Sequence, residues 1–381
     1  MNRIKSIDGL RAISITMVLL GHAAHTLPKS IAESPIYAFF SNSALGVKVF
    51  FVISGYLITR LLLLEEKKTG SIHIGQFYIR RVFRIFPVFY LYILVVLLLK
   101  WFVVPDMFGS YSLVVFAGLY LWNYKHLLSA PVSPDDKGNW FFGHFWSLSM
   151  EEQFYLLWPL AFKKLTKIRL IQITITLILV MPIIRLLTYF FVPDSRGQIG
   201  MMLHTGGDAI LTGCLGALLE NKILNNRRIL TLLHSWLFVT ALCLFLFIIS
   251  PMLSGRYQGA YFLPIGITLN NMSILFILLW SIHVPSRVAT VLNSAAFVQV
   301  GVLSYSLYVW QQLFLTDKEG YWPAQFPQNL LLAVAAAVFS YYVLEKPILK
   351  LKDRFKATAA KPVLSQQPET GVVVGQAATP A

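Results

Sequence analysis

The chain reads as a series of apolar runs separated by short polar breaks. These runs cover roughly 10–27, 46–64, 82–104, 111–124, 145–162, 170–192, 206–219, 230–250, 261–282, 297–315 and 328–349. A helix needs about 20 mostly apolar residues to cross the roughly 30 Å hydrocarbon core of a bilayer, and most of the runs approach that length. The pattern therefore predicts an all-α, polytopic membrane bundle. The run 111–124 is the exception, being short and closing on Asn123 and Lys125.

Positive charge tests the count. Lys67, Lys68, Arg80, Arg81 and Arg84 follow the second run, and Lys163, Lys164, Lys167 and Arg169 follow the fifth. Basic loops stay cytoplasmic, so an even number of crossings must separate these two. Three runs lie between them, and 111–124 is read as re-entrant or interfacial. About ten transmembrane helices remain. The later basic groups, Lys222 with Arg227 and Arg228, then Arg287, then Lys350 to Lys356, fall on the same side, which puts both termini in the cytoplasm. Residues 1–352 form one membrane-embedded domain. The tail 353–381, rich in Ala, Pro, Gln and Thr, is expected to be a disordered cytoplasmic segment.

Composition agrees, with 56% hydrophobic and only 13% charged residues among 381. The net charge of +15 would suggest nucleic acid in a soluble protein. Here the basic residues sit between apolar runs and set topology, so no nucleic-acid partner is expected. Cys214 and Cys243 both fall inside predicted spans, which gives no support to a disulfide framework or a metal site.

Several ionisable groups interrupt the apolar runs. The first span carries Asp8, Arg11, His22 and His25. Arg11 and His22 are about three turns apart on one face, roughly 16 Å along the axis. An aligned stripe of such groups in hydrocarbon calls for a partner or a water-filled cavity. Arg3, Lys5 and the Ala23-Ala24 pair also fit a cleavable signal peptide, but Asp8 and His22 serve no targeting purpose and a second apolar run follows closely.

The second span holds Ser54-Gly55, which reads first as a close helix contact, with no His or Asp beside Ser54 in sequence to activate it. Lys48 is placed near the outer mouth, within reach of the interface. Arg80, Arg81 and Arg84 converge on one side of a helix start, either as topology anchors or as a phosphate site, since guanidinium binds phosphate oxygens bidentately. Glu151 and Glu152 lie inside an apolar helix. Glu151 is about six residues, roughly 9 Å, from that helix's outer end, and His22 about five residues from the outer end of its own. A His22–Glu151 pair is thus expected, the alternative being glutamates that face a helix N-terminus.

Six stretches taken together resemble the acyltransferase-3 family of integral membrane acyltransferases. They are IDGLRAISITMVLLGH, GVKVFFVISGYLIT, FYIRRVFRIFP, HFWSLSMEEQFYLLWP, GVLSYSLYVWQQ and SYYVLEKP, in that order over about 350 residues. The resemblance implies ten transmembrane helices in the cytoplasmic or inner membrane. It also implies transfer of an acyl group, commonly acetyl from acetyl-coenzyme A, to a hydroxyl of a cell-envelope carbohydrate or lipid-linked sugar. No cofactor is held permanently, because acyl-coenzyme A is the donor substrate. His22 maps to the catalytic histidine, Arg11 to its essential companion, Glu151 to the motif carboxylate, and Arg80, Arg81 and Arg84 to coenzyme contacts.

Similar proteins often have an acidic residue in place of Lys48 and a histidine in place of Gln311, so neither position is assigned a required role. Some relatives append an extracytoplasmic hydrolase-like domain, which this chain is expected to lack. A thioester donor needs an activated nucleophile and stabilisation of an oxyanion rather than a metal. A neutral His22 suits general-base work on a sugar hydroxyl, and equally transient carriage of the acyl group. A transporter or flippase of lipid-linked glycan would share the embedded charges and the spans but would not need the arginine cluster. A polysaccharide polymerase would be expected to present a larger extracytoplasmic loop.

Overall fold

The computed structural model describes residues 3–128, 138–318 and 320–350. The tail from 353 onward lies outside the described residues. The described chain is helical with no strand, and ten helices dominate it. We label them α1 (Lys5–Ala23), α2 (Ser43–Thr69), α3 (Ile74–Phe102), α4 (Phe145–Lys164), α5 (Lys167–Phe191), α6 (Asp208–Asn225), α7 (Trp236–Tyr257), α8 (Gly259–His283), α9 (Ala295–Phe314) and α10 (Gln328–Lys350).

Six of them are long and apolar enough to cross a membrane: α2, α3, α5, α7, α8 and α10. The other four, α1, α4, α6 and α9, carry more polar residues because they occupy the interior. α1 packs chiefly against α9 and α2, and α2 against α6. The apolar helices shield them. Only 17% of the most apolar stretch of α7 is buried, as expected of a helix facing lipid. The segment 112–118 is a seven-residue helix, about 10 Å long and too short to cross.

Helix ends follow local chemistry. The Asn42 side chain accepts from the Leu45 amide at 2.9 Å to open α2, which stops at Gly70 in the left-handed conformation, φ 73°. α1 ends at Ala23, where the Thr26 amide folds back to the Ala23 carbonyl at 2.9 Å ahead of Pro28. It therefore stops four residues before the end of the apolar run 10–27, although it begins five residues ahead of it.

Gly55 and Gly213 explain how closely α2 and α6 approach. A Cβ on Gly55 would collide with the Ile210 carbonyl oxygen, and one on Gly213 with the Val52 carbonyl oxygen. This is the close-contact reading of Gly55, satisfied reciprocally by two helices. One ion pair inside the bundle has no counterpart in the sequence reading: Arg185 of α5 bonds Asp208 of α6, both fully buried. Arg185 also donates through Nε to the Thr205 carbonyl at 2.7 Å, and Thr268 donates to Asp208 at 3.2 Å. Lys48 departs from its expected place as well. It turns inward and donates to the Gly200 carbonyl at 3.2 Å instead of reaching for the interface.

Candidate functional site

Two cavities of about 490 Å³ each open from opposite ends of the bundle. The first lies at the end where α1 begins, and Arg11, Arg81, Arg84, Glu151, Tyr155 and Glu345 are among its lining residues. The second lies at the end where α1 stops, lined among others by His22, Trp122, Trp140, His144, Trp146 and Gln312. Val47 of α2 and Tyr308 of α9 line both. These two buried side chains form the partition. α1 threads past it, so its arginine opens into one cavity and its histidine into the other.

The arginine cluster divides. Arg80 turns away from the cavity to pair with Glu65 at 2.9 Å. Arg81 and Arg84 line the cavity. The Arg81 guanidinium sits 3.4 Å from the centroid of the Tyr155 ring and lies 3.6 Å from Glu151 and 3.7 Å from Glu152. Among the described residues no carboxylate is within ion-pair distance of Arg84. Arg11 faces Asp8 one turn earlier at 3.8 Å, and Asp8 also receives the Arg3 side chain. Four guanidinium groups, those of Arg3, Arg11, Arg81 and Arg84, thus line one cavity, partly offset by carboxylates, an arrangement suited to a multiply charged phosphate ester.

Glu151 does not meet His22. The Ser54 hydroxyl and the Tyr155 phenol both donate to Glu151 Oε1, and Arg81 completes its surroundings. The expected pairing fails because α1 ends at Ala23. His22 is one residue from the end of its helix, about 1.5 Å, whereas Glu151 lies about 9 Å inside α4. The depths do not match. Along α4, Trp146 faces the second cavity while Ser147, Leu148 and Glu151 face the first.

The partner of His22 is Gln311. Nδ1 of His22 lies 2.9 Å from Gln311 Oε1, and Gln311 Nε2 donates to Gln312 Oε1 at 2.8 Å. The Trp140 ring stands edge-on to the imidazole with centroids 5.7 Å apart, and its indole N–H donates to the Gln312 carbonyl at 3.0 Å. His25 packs against the same indole at 6.1 Å. A fully buried amide in an apolar helix was the available signal for Gln311, since buried polar groups need partners. Glu345, which accepts from Ser306 and lines the first cavity, is a second residue that sequence reasoning left without a role.

Three tryptophans, Asn139 and Gln312 give the second cavity flat apolar faces interspersed with amides. That combination matches a pyranose, which offers one apolar face and a rim of hydroxyls. His126, outside the long helices, lines the same cavity and bonds the Ser195 hydroxyl at 3.0 Å. Burial, with Lys125 beside it, pushes its imidazole below the ordinary value.

Comparison with known proteins bears on nearly the whole chain. The family model described as "Acyltransferase domain" matches residues 4–344. The chain is 28% identical over 384 residues to O-acetyltransferase OatA of Staphylococcus aureus strain MRSA252, covering 95% of this chain and 59% of that protein. It is likewise 28% identical over 377 residues to a putative O-acetyltransferase of Staphylococcus aureus strain COL, covering 92% of this chain and 58% of the relative. The chain therefore spans somewhat under three-fifths of the length of these relatives. No solved structure matches it.

Proposed function

Since the chain belongs to the acyltransferase-3 family, matched over residues 4–344, we propose that it is a multi-pass membrane O-acyltransferase. In this reading it moves an acetyl group from cytosolic acetyl-coenzyme A to a hydroxyl of a cell-envelope carbohydrate or lipid-linked sugar. All ten helices cross the bilayer with the start of α1 in the cytoplasm. The four interior helices do so because their polar residues face one another and the two cavities rather than lipid.

The first cavity then opens to the cytosol and takes the coenzyme. Arg84, Arg81 and Arg11 hold its phosphates, and charge-assisted contacts of this kind are worth about 1.5–3 kcal/mol each. The second cavity faces the other side and takes the sugar. His22 stands at its edge as the base that removes the proton of the acceptor hydroxyl. Burial of the reacting carbonyl between helices excludes water, which would otherwise hydrolyse the thioester.

One observation carries the reading: Val47 and Tyr308 line both cavities, so donor and acceptor sites abut across two side chains inside a single helix bundle. The relatives are named O-acetyltransferases, which favours acetyl over longer acyl groups. The test is incorporation of label from [acetyl-¹⁴C]acetyl-coenzyme A into isolated envelope glycan by the purified protein in proteoliposomes. Transfer that needs the protein and His22 supports the proposal. Coenzyme binding without any transfer, or glycan movement without acylation, would point to a transporter.

A further inference from the structure

We infer that Gln311 holds His22 as the Nδ1–H tautomer with Nε2 free, and that the acyl group consequently passes straight from the thioester to the acceptor hydroxyl with no acyl-histidine intermediate. This rests on the proposed acyl transfer and deepens it by choosing between two routes that a histidine alone leaves open.

The geometry is a short relay of amides. Gln311 is fully buried in α9, and its Nε2 is committed to Gln312 Oε1 at 2.8 Å. Its Oε1 is therefore the atom turned to His22, at 2.9 Å from Nδ1. An amide oxygen only accepts, so Nδ1 must carry the proton and Nε2 must carry the lone pair. Trp140 braces both ends of the arrangement, its ring against the imidazole and its N–H on the Gln312 carbonyl. The ring is held in position as well as in tautomer.

The direct route closes its own proton account. Nε2 takes the hydroxyl proton of the acceptor while the hydroxyl oxygen forms a C–O bond to the thioester carbonyl carbon. The C–S bond then breaks, sulfur leaves with the electron pair, and the thiolate recovers the proton from Nε2–H. His22 ends as it began. Throughout, Nδ1–H keeps its bond to Gln311, which steadies the imidazolium while it exists.

The covalent route balances as well, but it holds the charge for longer. Attack by Nε2 on the thioester puts the acyl group on that nitrogen as the thiolate leaves, and until an acceptor takes the acyl group the ring becomes neutral only by losing the Nδ1 proton. An amide oxygen is too weak a base to take it. His25 and His144 are the other titratable groups near the ring, but neither bonds it, and among the described residues no carboxylate does. Attack would leave a buried acylimidazolium cation with no base to relieve it.

The test compares Gln311→Met, near in size but without an acceptor, with Gln311→Glu, which keeps one. As a positioning residue, Gln311 predicts that the Met variant loses turnover by on the order of 100-fold with the KM for acetyl-coenzyme A unchanged. The Glu variant should recover to within about tenfold of wild type. If Gln311 only filled space, the order would reverse, because a buried carboxylate is harder to accommodate than a thioether, and that result would overturn the assignment. In parallel, wild-type protein incubated with labelled acetyl-coenzyme A and no glycan should yield an unlabelled His22 peptide by mass spectrometry. It should also release coenzyme A no faster than His22→Ala. Acetyl-His22 formed at a rate matching turnover would overturn direct transfer while leaving the acyltransferase reading intact. Failure of the wild type to acylate glycan at all would overturn the proposed function and this inference with it.

Discussion

Arg11 and His22 stand on the same helix, yet they open into different cavities, Arg11 at one end of the bundle and His22 at the other. The span between them is about three turns, roughly 16 Å. Neither side chain can touch the other, and their roles separate cleanly. His22→Ala should abolish acyl transfer, by at least about 100-fold, while leaving donor binding in place. Arg11→Ala should weaken donor binding first. Titration of each purified variant with coenzyme A, alongside an activity assay, distinguishes the two; loss of coenzyme binding in His22→Ala would merge the cavities into one functional unit.

The arginine cluster should behave unequally. Arg84 lines the first cavity without a carboxylate partner among the described residues, whereas Arg80 is paired with Glu65 at 2.9 Å outside it. Arg84→Ala should raise the KM for acetyl-coenzyme A by roughly 10- to 150-fold, the equivalent of about 1.5–3 kcal/mol. Arg80→Ala should change it by less than about fivefold, because a partly exposed ion pair is worth only about 0–1 kcal/mol. Arg84→Lys should not restore the donor KM, since an ammonium lacks the planar fork. Equal effects at the two positions would count against the cavity as the donor site.

Glu151 is tied to Ser54, Tyr155 and Arg81 rather than to His22. Glu151→Gln keeps an acceptor for the two hydroxyls but removes the charge that restrains Arg81. The expected result is a change in donor KM of several-fold, with turnover at saturating donor within about tenfold of wild type. A collapse of kcat with unchanged KM would return Glu151 to the chemical step.

Much of this architecture was legible because lipid imposes a simple pattern. Runs such as 82–104 and 170–192 lie within or close to Ile74–Phe102 and Lys167–Phe191, and of the three arginines expected to converge, Arg81 and Arg84 face a cavity while Arg80 does not. What failed was depth. A run of apolar letters cannot say where a helix ends, so the stop at Ala23 was invisible, and with it the separation of His22 from Glu151. Pairings between helices were equally hidden. Nothing local to Arg185 names Asp208, and nothing local to His22 names Gln311, although an unpaired arginine or glutamine in an apolar run does announce that some partner exists.

Topology follows from charge and from the short helix 112–118. A periplasmic-type reporter fused after residue 128 should be active on the far side of the membrane. Fusions after Arg84 and after Lys167 should read cytoplasmic. A cytoplasmic signal at all three would require a different set of crossings between α3 and α5.

The Arg185–Asp208 pair offers a stability test independent of catalysis. Both side chains are fully buried between α5 and α6, where neither can be hydrated if the other is lost. Removing one partner of such a pair costs about 3–5 kcal/mol, because the survivor is left as an uncompensated charge. Asp208→Leu strands the guanidinium, although the Thr205 carbonyl still accepts from its Nε. Arg185→Leu strands the carboxylate and frees that carbonyl as well, so it should be the more damaging single change. The double variant removes both charges and should recover most of the loss, falling short by the bonds that the Thr205 and Leu263 carbonyls no longer accept from Arg185, about 1–3 kcal/mol. Thermal unfolding of the detergent-solubilised proteins reads the order directly: wild type, then the double variant, then Asp208→Leu, then Arg185→Leu. A double variant no more stable than either single one would mean that the bonds to neighbouring groups, rather than the two charges, hold α5 against α6.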